Sequence, residues 1–312
     1  MRHLLSFSVY QGLSELGSDP NSALASAGCD GLELLTGYSQ IPESYRSLAP
    51  AVHLPYATDW LAAWDGRPYG FSEQDSPFYM YGRTREEVVG NIRAAIGYAA
   101  DLHPLYGVMH AGNADVDEIF KRRYTRDSAY VIDAFAEMMN EVMSGFPGGE
   151  PPFRILFENL WWPGFRLLDD SDLRRLAGRT EFENWGVCLD TGHMMNCLPD
   201  IRTQRDGIEA LQRIFDSYSR DTVDRIETVH LHWSASYDYR TTFEERGLGD
   251  DLQGYMSDAY GHIGRIDMHM PFTDPDCALL IQALEPSTVT HEMPGSVSTP
   301  LEDFRTQRAL LP

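Results

Sequence analysis

Short apolar runs rich in β-branched residues recur along the chain, and each is followed by a polar residue and a loop. The eight runs are His3–Val9, Gly31–Leu35, Ala51–Leu54, Tyr106–His110, Arg154–Glu158, Gly186–Asp190, Thr228–His232 and Thr288–Glu292. Continuous apolar runs of this length are typical of parallel strands that are buried on both faces. The pattern therefore predicts a parallel sheet of eight strands.

The segments between these runs carry helical signals. Thr84 and Glu87 form a capping box ahead of apolar residues at helical spacing. A second box, Thr299 to Glu302 with Pro300 at the first helical position, opens a closing helix that we expect to extend through Leu310. Strands and helices that alternate in this way predict a closed (β/α)8 TIM barrel, an α/β fold, as a single domain over residues 1–312.

Two connections after strands are unusually long, from Tyr56 to Arg83 and from Trp233 to about Thr273. The loops after strands gather at the catalytic face of a barrel. The first loop is rich in aromatic residues: Trp60, Trp64, Tyr69, Phe71, Phe78, Tyr79 and Tyr81. These rings either pack a small subdomain or form a lid that stacks on a sugar or another flat apolar surface. We predict the lid, with its rings contributing to the pocket.

The net charge and the spacing of the cysteines indicate which partners and which compartment to expect. The net charge is -22, from 47 acidic and 25 basic residues, which argues against nucleic-acid binding. The cysteines show no CxxC spacing and are typical of buried thiols in a reducing compartment. The start of the chain does not resemble a signal peptide, and no apolar run suits a membrane span. We expect a cytoplasmic protein with a small-molecule substrate and no membrane partner; a homo-oligomer is left open.

Candidate metal ligands close six of the runs. They are His53, His110, Glu158, Asp190, His230 and Glu292. A parallel barrel brings its strand ends into one small volume, and imidazole and carboxylate together suit zinc, manganese, cobalt or iron. The sequence therefore predicts one or two divalent ions at the carboxyl end of the strands.

Alternation along the strands refines this set. His291 should point away from its neighbour Glu292, whereas His230 and His232 should share a face, so that His232 reaches the substrate without binding metal. His193 follows the sixth run and is a further catalytic candidate. Glu33, near the end of the second run, either orients a ligand histidine or is structural.

Six short motifs together resemble the xylose isomerase-like barrel superfamily, which includes sugar isomerases and epimerases and the endonuclease IV branch. They are Val52–Pro55, Met109–Gly112, Phe157–Leu160, Leu189–Asn196, Val229–His232 and His291–Pro294. The resemblance implies a shared metal site made by Glu158, Asp190, His230 and Glu292. It also implies that His53 and His110 match additional zinc ligands of the endonuclease branch, where Glu158 would bridge two ions.

The endonuclease branch has a third metal site, made by the histidine of a DTxH motif and a later Asp-x-His. Here His193 is present, but the candidate partner is Asp258-Ala259-Tyr260, in which tyrosine replaces the histidine. This segment therefore departs from the third-site pattern of the endonuclease branch, and a third metal site is left open. His262 or Asp267-Met268-His269 could substitute if the long loop folds inward.

The leading hypothesis is a metal-dependent isomerase or epimerase that acts on a sugar, sugar phosphate or polyol through an enediolate. Glu158 and Glu292, at the ends of the fifth and eighth strands, would transfer the proton on opposite sides of the substrate, with His193 and His232 as further candidates. One alternative is endonuclease IV-like phosphodiester hydrolysis, which the two extra histidines favour and the acidic charge opposes. A dinuclear-metal oxidase or lyase on the same barrel is a third class.

Overall fold

Eight parallel strands close into a barrel in chain order. A computed structural model of the chain describes residues 1–67, 81–249, 251–293 and 299–312. The strands are β1 (Arg2–Ser8), β2 (Leu32–Leu35), β3 (Ala51–His53), β4 (Tyr106–His110), β5 (Arg154–Glu158), β6 (Trp185–Asp190), β7 (Ile226–Leu231) and β8 (Thr288–His291). Each strand pairs in parallel with the next, and β8 pairs with β1. The predicted barrel is confirmed, with shifts of one or two residues at some strand ends.

Helices surround the barrel. They are α1 (Pro20–Ser26), α2 (Leu61–Trp64), α3 (Arg85–Ala100), α4 (Val116–Lys121), α5 (Ser128–Met143), α6 (Asp170–Ala177), α7 (Thr191–Cys197), α8 (Gln204–Phe215), α9 (Arg220–Arg225), α10 (Tyr237–Thr242), α11 (Leu252–Ile266), α12 (Ala278–Leu284) and α13 (Pro300–Arg308). The β2–β3 connection departs from strict alternation, because only a 3-10 turn at Glu43–Tyr45 lies within it.

Two layers of apolar packing hold the barrel. The main core lies between the strands and the surrounding helices. A smaller cluster of buried side chains comes from alternating strand positions and includes Leu4, Ala51, Val108, Leu156 and Cys188. Because strand side chains alternate between faces, these residues fill the barrel interior. The next inward positions toward the carboxyl ends carry the polar residues of the site.

The two predicted capping boxes differ in how completely they form. Thr84 accepts a hydrogen bond from the Glu87 amide, but the Glu87 side chain bonds the Arg83 amide, one residue before the cap. The box at Thr299 is complete, and its helix α13 ends at Arg308, before the predicted Leu310.

All four cysteines are free. Over the described residues, the helices are too short or too polar to cross a membrane.

Candidate functional site

Glu158 lies at the centre of the polar cluster at the carboxyl end of the barrel. Its Oε2 is 3.1 Å from Nε2 of His53 and 3.3 Å from Nε2 of His110. One ligand atom from each of these three residues lies within 4.8 Å of the others, as a metal site requires. The structure therefore brings together the predicted additional ligands, His53 and His110, with Glu158.

The other oxygen of Glu158 faces a second group. Nδ1 of His230 lies 3.3 Å from Glu158 Oε1, 3.3 Å from Glu292 Oε1 and 3.8 Å from Asp190 Oδ2. This nitrogen is buried and has no hydrogen-bond partner. A buried, unpartnered imidazole nitrogen among three carboxylates is a suitable donor set for a divalent ion. The residues present therefore fit a divalent ion, and Glu158 belongs to two of the possible ligand groups.

Glu33 lies directly behind His230. Its Oε1 is 2.7 Å from His230 Nε2, while its Oε2 accepts hydrogen bonds from Tyr106 Oη and Thr290 Oγ1, each at 2.8 Å. All four side chains are buried. Glu33 thus lies beside the ligand histidine, as the first of its two expected roles requires, and that role stays a prediction.

Local structure fixes the end of β6. Helix α7 begins immediately after the strand, and Asp190 caps it by accepting a hydrogen bond from the His193 amide at 2.6 Å. The Asn159 side chain accepts from the Asp190 amide and donates to the Asp190 carbonyl, at 2.7 and 3.0 Å. The ends of β5 and β6 are thereby tied together. Asn159 had no role in the sequence-based assignment, because an amide beside a ligand carries no distinctive signal.

The partner of His193 is Asp267 and not a residue of Asp258-Ala259-Tyr260. His193 Nε2 lies 2.9 Å from Asp267 Oδ2, and His269 Nε2 lies 3.8 Å from the same oxygen and 3.1 Å from Glu292 Oε2. The alternative Asp267-Met268-His269 segment is thus the one that reaches the site.

A short antiparallel bridge explains this placement. Trp233 and Met270 exchange backbone hydrogen bonds of 2.8 and 2.9 Å, which return the end of the long loop to the mouth of the barrel. Asp258 instead pairs with Arg246, and His262 is buried against Phe120. The Asp-x-His spacing was visible in the sequence, but the bridge that brings it inward was not.

His232 is placed differently from the prediction that it reaches the substrate. It is fully buried, its Nε2 contacts Asp190 Oδ2 at 2.9 Å, and its ring stacks on His269 at 4.2 Å between centroids. It does not line the cavity described below. His232 also belongs to a possible ligand group with His269 and Glu292.

Burial and charge act in opposite directions on the ionisable groups. Burial disfavours ionisation of Glu158, but His110 and His230 nevertheless hold its pKa well below the usual range. Burial likewise opposes ionisation of Glu292, and His230 and His269 hold its pKa low. Both carboxylates are therefore ionised at neutral pH, as metal ligation requires.

A cavity of about 350 Å³ opens above the ligand cluster. Its lining comes from several strand ends and loops: Ser6, Leu35, His53, Tyr56, His110, Glu158, Trp162, His193, Tyr260, Ile263, Gly264, Asp267, His269, Glu292 and Met293. Tyr56 stacks on His110 with 4.6 Å between ring centroids. The cavity thus combines a polar floor with a partly aromatic wall.

The long loop after β3 was expected either to pack a small subdomain or to form a lid, and its described parts differ in this respect. Tyr56 lines the cavity, whereas Trp60, Trp64 and Tyr81 are buried in the core, where the Tyr81 hydroxyl donates to the Pro55 carbonyl at 3.0 Å. The remaining aromatic residues of the predicted lid, Tyr69, Phe71, Phe78 and Tyr79, lie outside the described residues. The lid stays a prediction.

A larger groove of about 750 Å³ lies on the outer helices beside Trp64. Several of its charged side chains pair with one another or with neighbours, as Arg85 does with Glu137 and Glu141. Among the described residues, the histidine and carboxylate groups able to hold a metal all lie outside this groove. We therefore place the functional site at the mouth of the barrel, although the groove is larger.

The closed barrel and the ligand cluster at its mouth define the class of protein, a (β/α)8 barrel with a candidate metal centre. A family model described as xylose isomerase-like TIM barrel matches residues 22–272. The chain belongs to this family. No curated protein matches it.

Solved structures of the same fold cover nearly the whole chain. Endonuclease IV from Thermus thermophilus is 14% identical, with a TM-score of 0.55 over 99% of this chain and 98% of that one. A sugar phosphate isomerase/epimerase from Parabacteroides distasonis is 12% identical, with a TM-score of 0.50 over 99% and 92%. The 3-keto-D-glucoside 4-epimerase from E. coli is also 12% identical, with a TM-score of 0.50 over 99% and 98%. At these identities the similarity concerns the fold alone.

Proposed function

We propose that the protein is a metal-dependent isomerase or epimerase that acts on a sugar or related polyol by proton transfer. The observation that supports this most is the placement of Glu158 and Glu292. They reach the same cavity from β5 and from the end of β8, and each has an oxygen 3.3 Å from His230 Nδ1. Two ionised carboxylates around one substrate can remove and return a proton.

Glu158, Asp190, His230 and Glu292 would hold the ion, with His53 and His110 available for a second. Zinc, manganese, cobalt or iron at this position would polarise carbonyl and hydroxyl oxygens and lower the energy of an enediolate. The protein side chains supply the remaining steps. Glu158 or Glu292 accepts the proton from the carbon beside the carbonyl, and the other carboxylate or the original one returns it.

The second oxygens of both carboxylates already have partners, which bears on the proton-transfer role. Glu158 Oε2 contacts His53 and His110, and Glu292 Oε2 contacts His269 at 3.1 Å. These histidines hold the carboxylates in place. His193, which lines the same cavity, is the next candidate base.

The test is exchange of substrate hydrogen with deuterated water. Metal-loaded protein is incubated with a panel of aldoses and ketoses, and deuterium is located by NMR. We expect deuterium at the carbon beside the carbonyl of at least one sugar, with exchange lost when the metal is removed. If no sugar of the panel exchanges in the metal-loaded protein, the proposal is wrong.

Phosphodiester hydrolysis is the second candidate, and the inward placement of Asp267 and His269 favours it because it adds ligands beside His193. The charge of -22 opposes it, since binding of nucleic acid depends largely on phosphate contacts by basic side chains. We expect no useful cleavage of an abasic duplex at physiological salt by metal-loaded protein. Robust nicking under these conditions would select the hydrolase.

A further inference from the structure

The floor of the mouth cavity is crowded with carboxylates. Glu158, Asp190, Asp267 and Glu292 lie among the ligand groups, and Glu33 lies behind His230. Glu158, Asp267 and Glu292 line the cavity itself, so a substrate would meet three acidic side chains at its floor.

The cavity wall carries no lysine or arginine within the described part of the chain, and its basic groups there are histidines of the ligand cluster. The segments outside it, residues 68–80, 250 and 294–298, contain neither lysine nor arginine in the sequence. A negatively charged group on a substrate would therefore find no lysine or arginine on the wall.

Arginines of the neighbouring loops are held by other partners. Arg246 donates to Asp258 at 2.8 Å, and Arg123 donates to Glu245 at 2.6 Å. Arg240 donates to the Leu198 carbonyl at 3.0 Å. Turning any of these side chains into the cavity would break an existing contact, so the loops do not supply a ready phosphate clamp.

Apart from Ser6 and Gly264, the rest of the wall is apolar or aromatic. Its members are Leu35, Tyr56, Trp162, Tyr260, Ile263 and Met293. Ligand pockets commonly combine such walls with a few polar groups that fix orientation, and about 350 Å³ is at the small end of their range. The cavity therefore suits a single small molecule that presents its hydroxyl groups to the floor and its carbon face to the wall.

We propose that the substrate is an uncharged polyol or free sugar of about monosaccharide size, without a phosphate or carboxylate group. This inference rests on the proposed function and narrows its substrate class. A phosphate monoester carries a charge of about -1.5 to -2 at neutral pH and is usually held by arginine or lysine. In this cavity it would lie near an acidic floor with no such partner.

Binding of matched ligand pairs tests the inference without requiring turnover. Calorimetry on metal-loaded protein would compare glucitol with glucitol 6-phosphate and xylitol with xylitol 5-phosphate. Because juxtaposed like charges cost several kcal/mol, we expect at least one neutral polyol to bind at least about tenfold more tightly than its phosphate ester. The inference is overturned if the esters bind as tightly as their parents, or if no neutral polyol binds.

A gain of charge on the wall provides the reciprocal test. Ile263 lines the cavity from α11, whereas Gln253 is exposed on the same helix and does not line it. Ile263→Arg should strengthen binding of the phosphate esters by about tenfold, whereas Gln253→Arg, a matched control, should not. An unchanged ratio of ester to polyol binding in Ile263→Arg contradicts the inference. Loss of deuterium exchange on every sugar would instead contradict the proposed function, so the two failures are distinct.

Discussion

The mouth of the barrel and its outer face each contain buried histidines, and the two groups differ in what surrounds them. At the mouth, His230 and His269 lie among carboxylates. On the outer face, His3 Nδ1 lies 3.2 Å from His291 Nε2 beneath α13, and no carboxylate forms an ion pair with either ring in the described structure. Both groups are cut off from water, so burial alone does not distinguish them.

The neighbours move the histidine pKa values in opposite directions. Burial lowers the pKa of His3 to about 4, and Arg308 lowers it further than the nearby Asp30 raises it. Burial also opposes the charged form of His269, but Asp267 and Glu292 raise its pKa to about 10. The comparison shows that carboxylates, rather than depth, make a buried histidine suited to metal or proton chemistry.

Removing the central carboxylate at the mouth should have the largest effect. Glu158→Gln is expected to lower deuterium exchange by roughly 10²-fold or more, because it removes a general base as well as a ligand. Exchange and bound metal must be measured together, since losing the metal would imitate losing the base. Glu227→Gln alters a β7 carboxylate that pairs with Arg154 away from the mouth and is the control. Normal exchange in metal-loaded Glu158→Gln would remove Glu158 from the proton-transfer role.

Changing the carboxylate behind the ligands should have a smaller effect. Glu33→Gln keeps the size of the side chain but replaces the oxygen beside His230 Nε2 with a neutral amide. Loss of such a supporting group typically weakens metal affinity by about 10- to 100-fold. Competition with a chelator measures the metal affinity. Thermal unfolding of the metal-free protein shows whether the variant has also lost stability in general. Unchanged metal affinity would leave Glu33 with a structural role only.

The two aspartates of the long loop after β7 provide a matched pair. Asp267→Asn is expected to lower the affinity for the most weakly bound ion by about tenfold, because Asp267 contacts His193 at 2.9 Å. Asp258→Asn, which affects contacts with Arg246 and the Gly249 amide away from the ligand cluster, should retain metal like the wild type. Chelator titration of both variants measures the difference. Equal behaviour would mean that the inward placement of Asp267 has no part in metal binding.

The buried histidines of the outer face, His3 and His291, should affect only the free energy of unfolding. This effect should be the smallest of those predicted here. The pKa of His3 is about 4 in the folded protein against an ordinary 6.5, so the unfolded chain takes up its proton first as the pH falls. The contribution of His3 to stability is therefore complete above pH 6.5 and decreases as the pH falls toward about 4. His3→Asn removes this titration, and its free energy of unfolding should depend less on pH in that window. His103→Asn, at an exposed position, is the control. A pH-independent difference from the wild type would contradict the assignment.

The barrel and most of its mouth could be predicted because they follow from residue alternation within strands. Tyr106–His110 and Arg154–Glu158 coincide with observed strands, and each ends in a predicted ligand. The opposite directions of His291 and Glu292 follow from the same rule, and the structure places them on opposite faces. Such features depend on residues that are adjacent in sequence, so they can be predicted from the pattern of residues alone.

Features that depend on long-range closure could not be predicted in the same way. The inward placement of Asp267 requires the bridge between Trp233 and Met270, whose partners are far apart along the chain. The burial of His232 depends on its contacts with Asp190 and His269, although its strand position suggested access to the cavity. In both cases the residue types were informative, but the path of a long loop decided their places.

Metal content tests the central interpretation of the mouth most directly. Wild-type protein would be loaded with zinc or manganese, separated from free ion by gel filtration and analysed for bound metal beside Glu158→Gln. We predict at least one tightly bound ion per wild-type chain and a clear loss in the variant, because Glu158 belongs to two of the ligand groups. Substoichiometric metal in the wild type, or equal metal in both proteins, would contradict a metal centre built around Glu158.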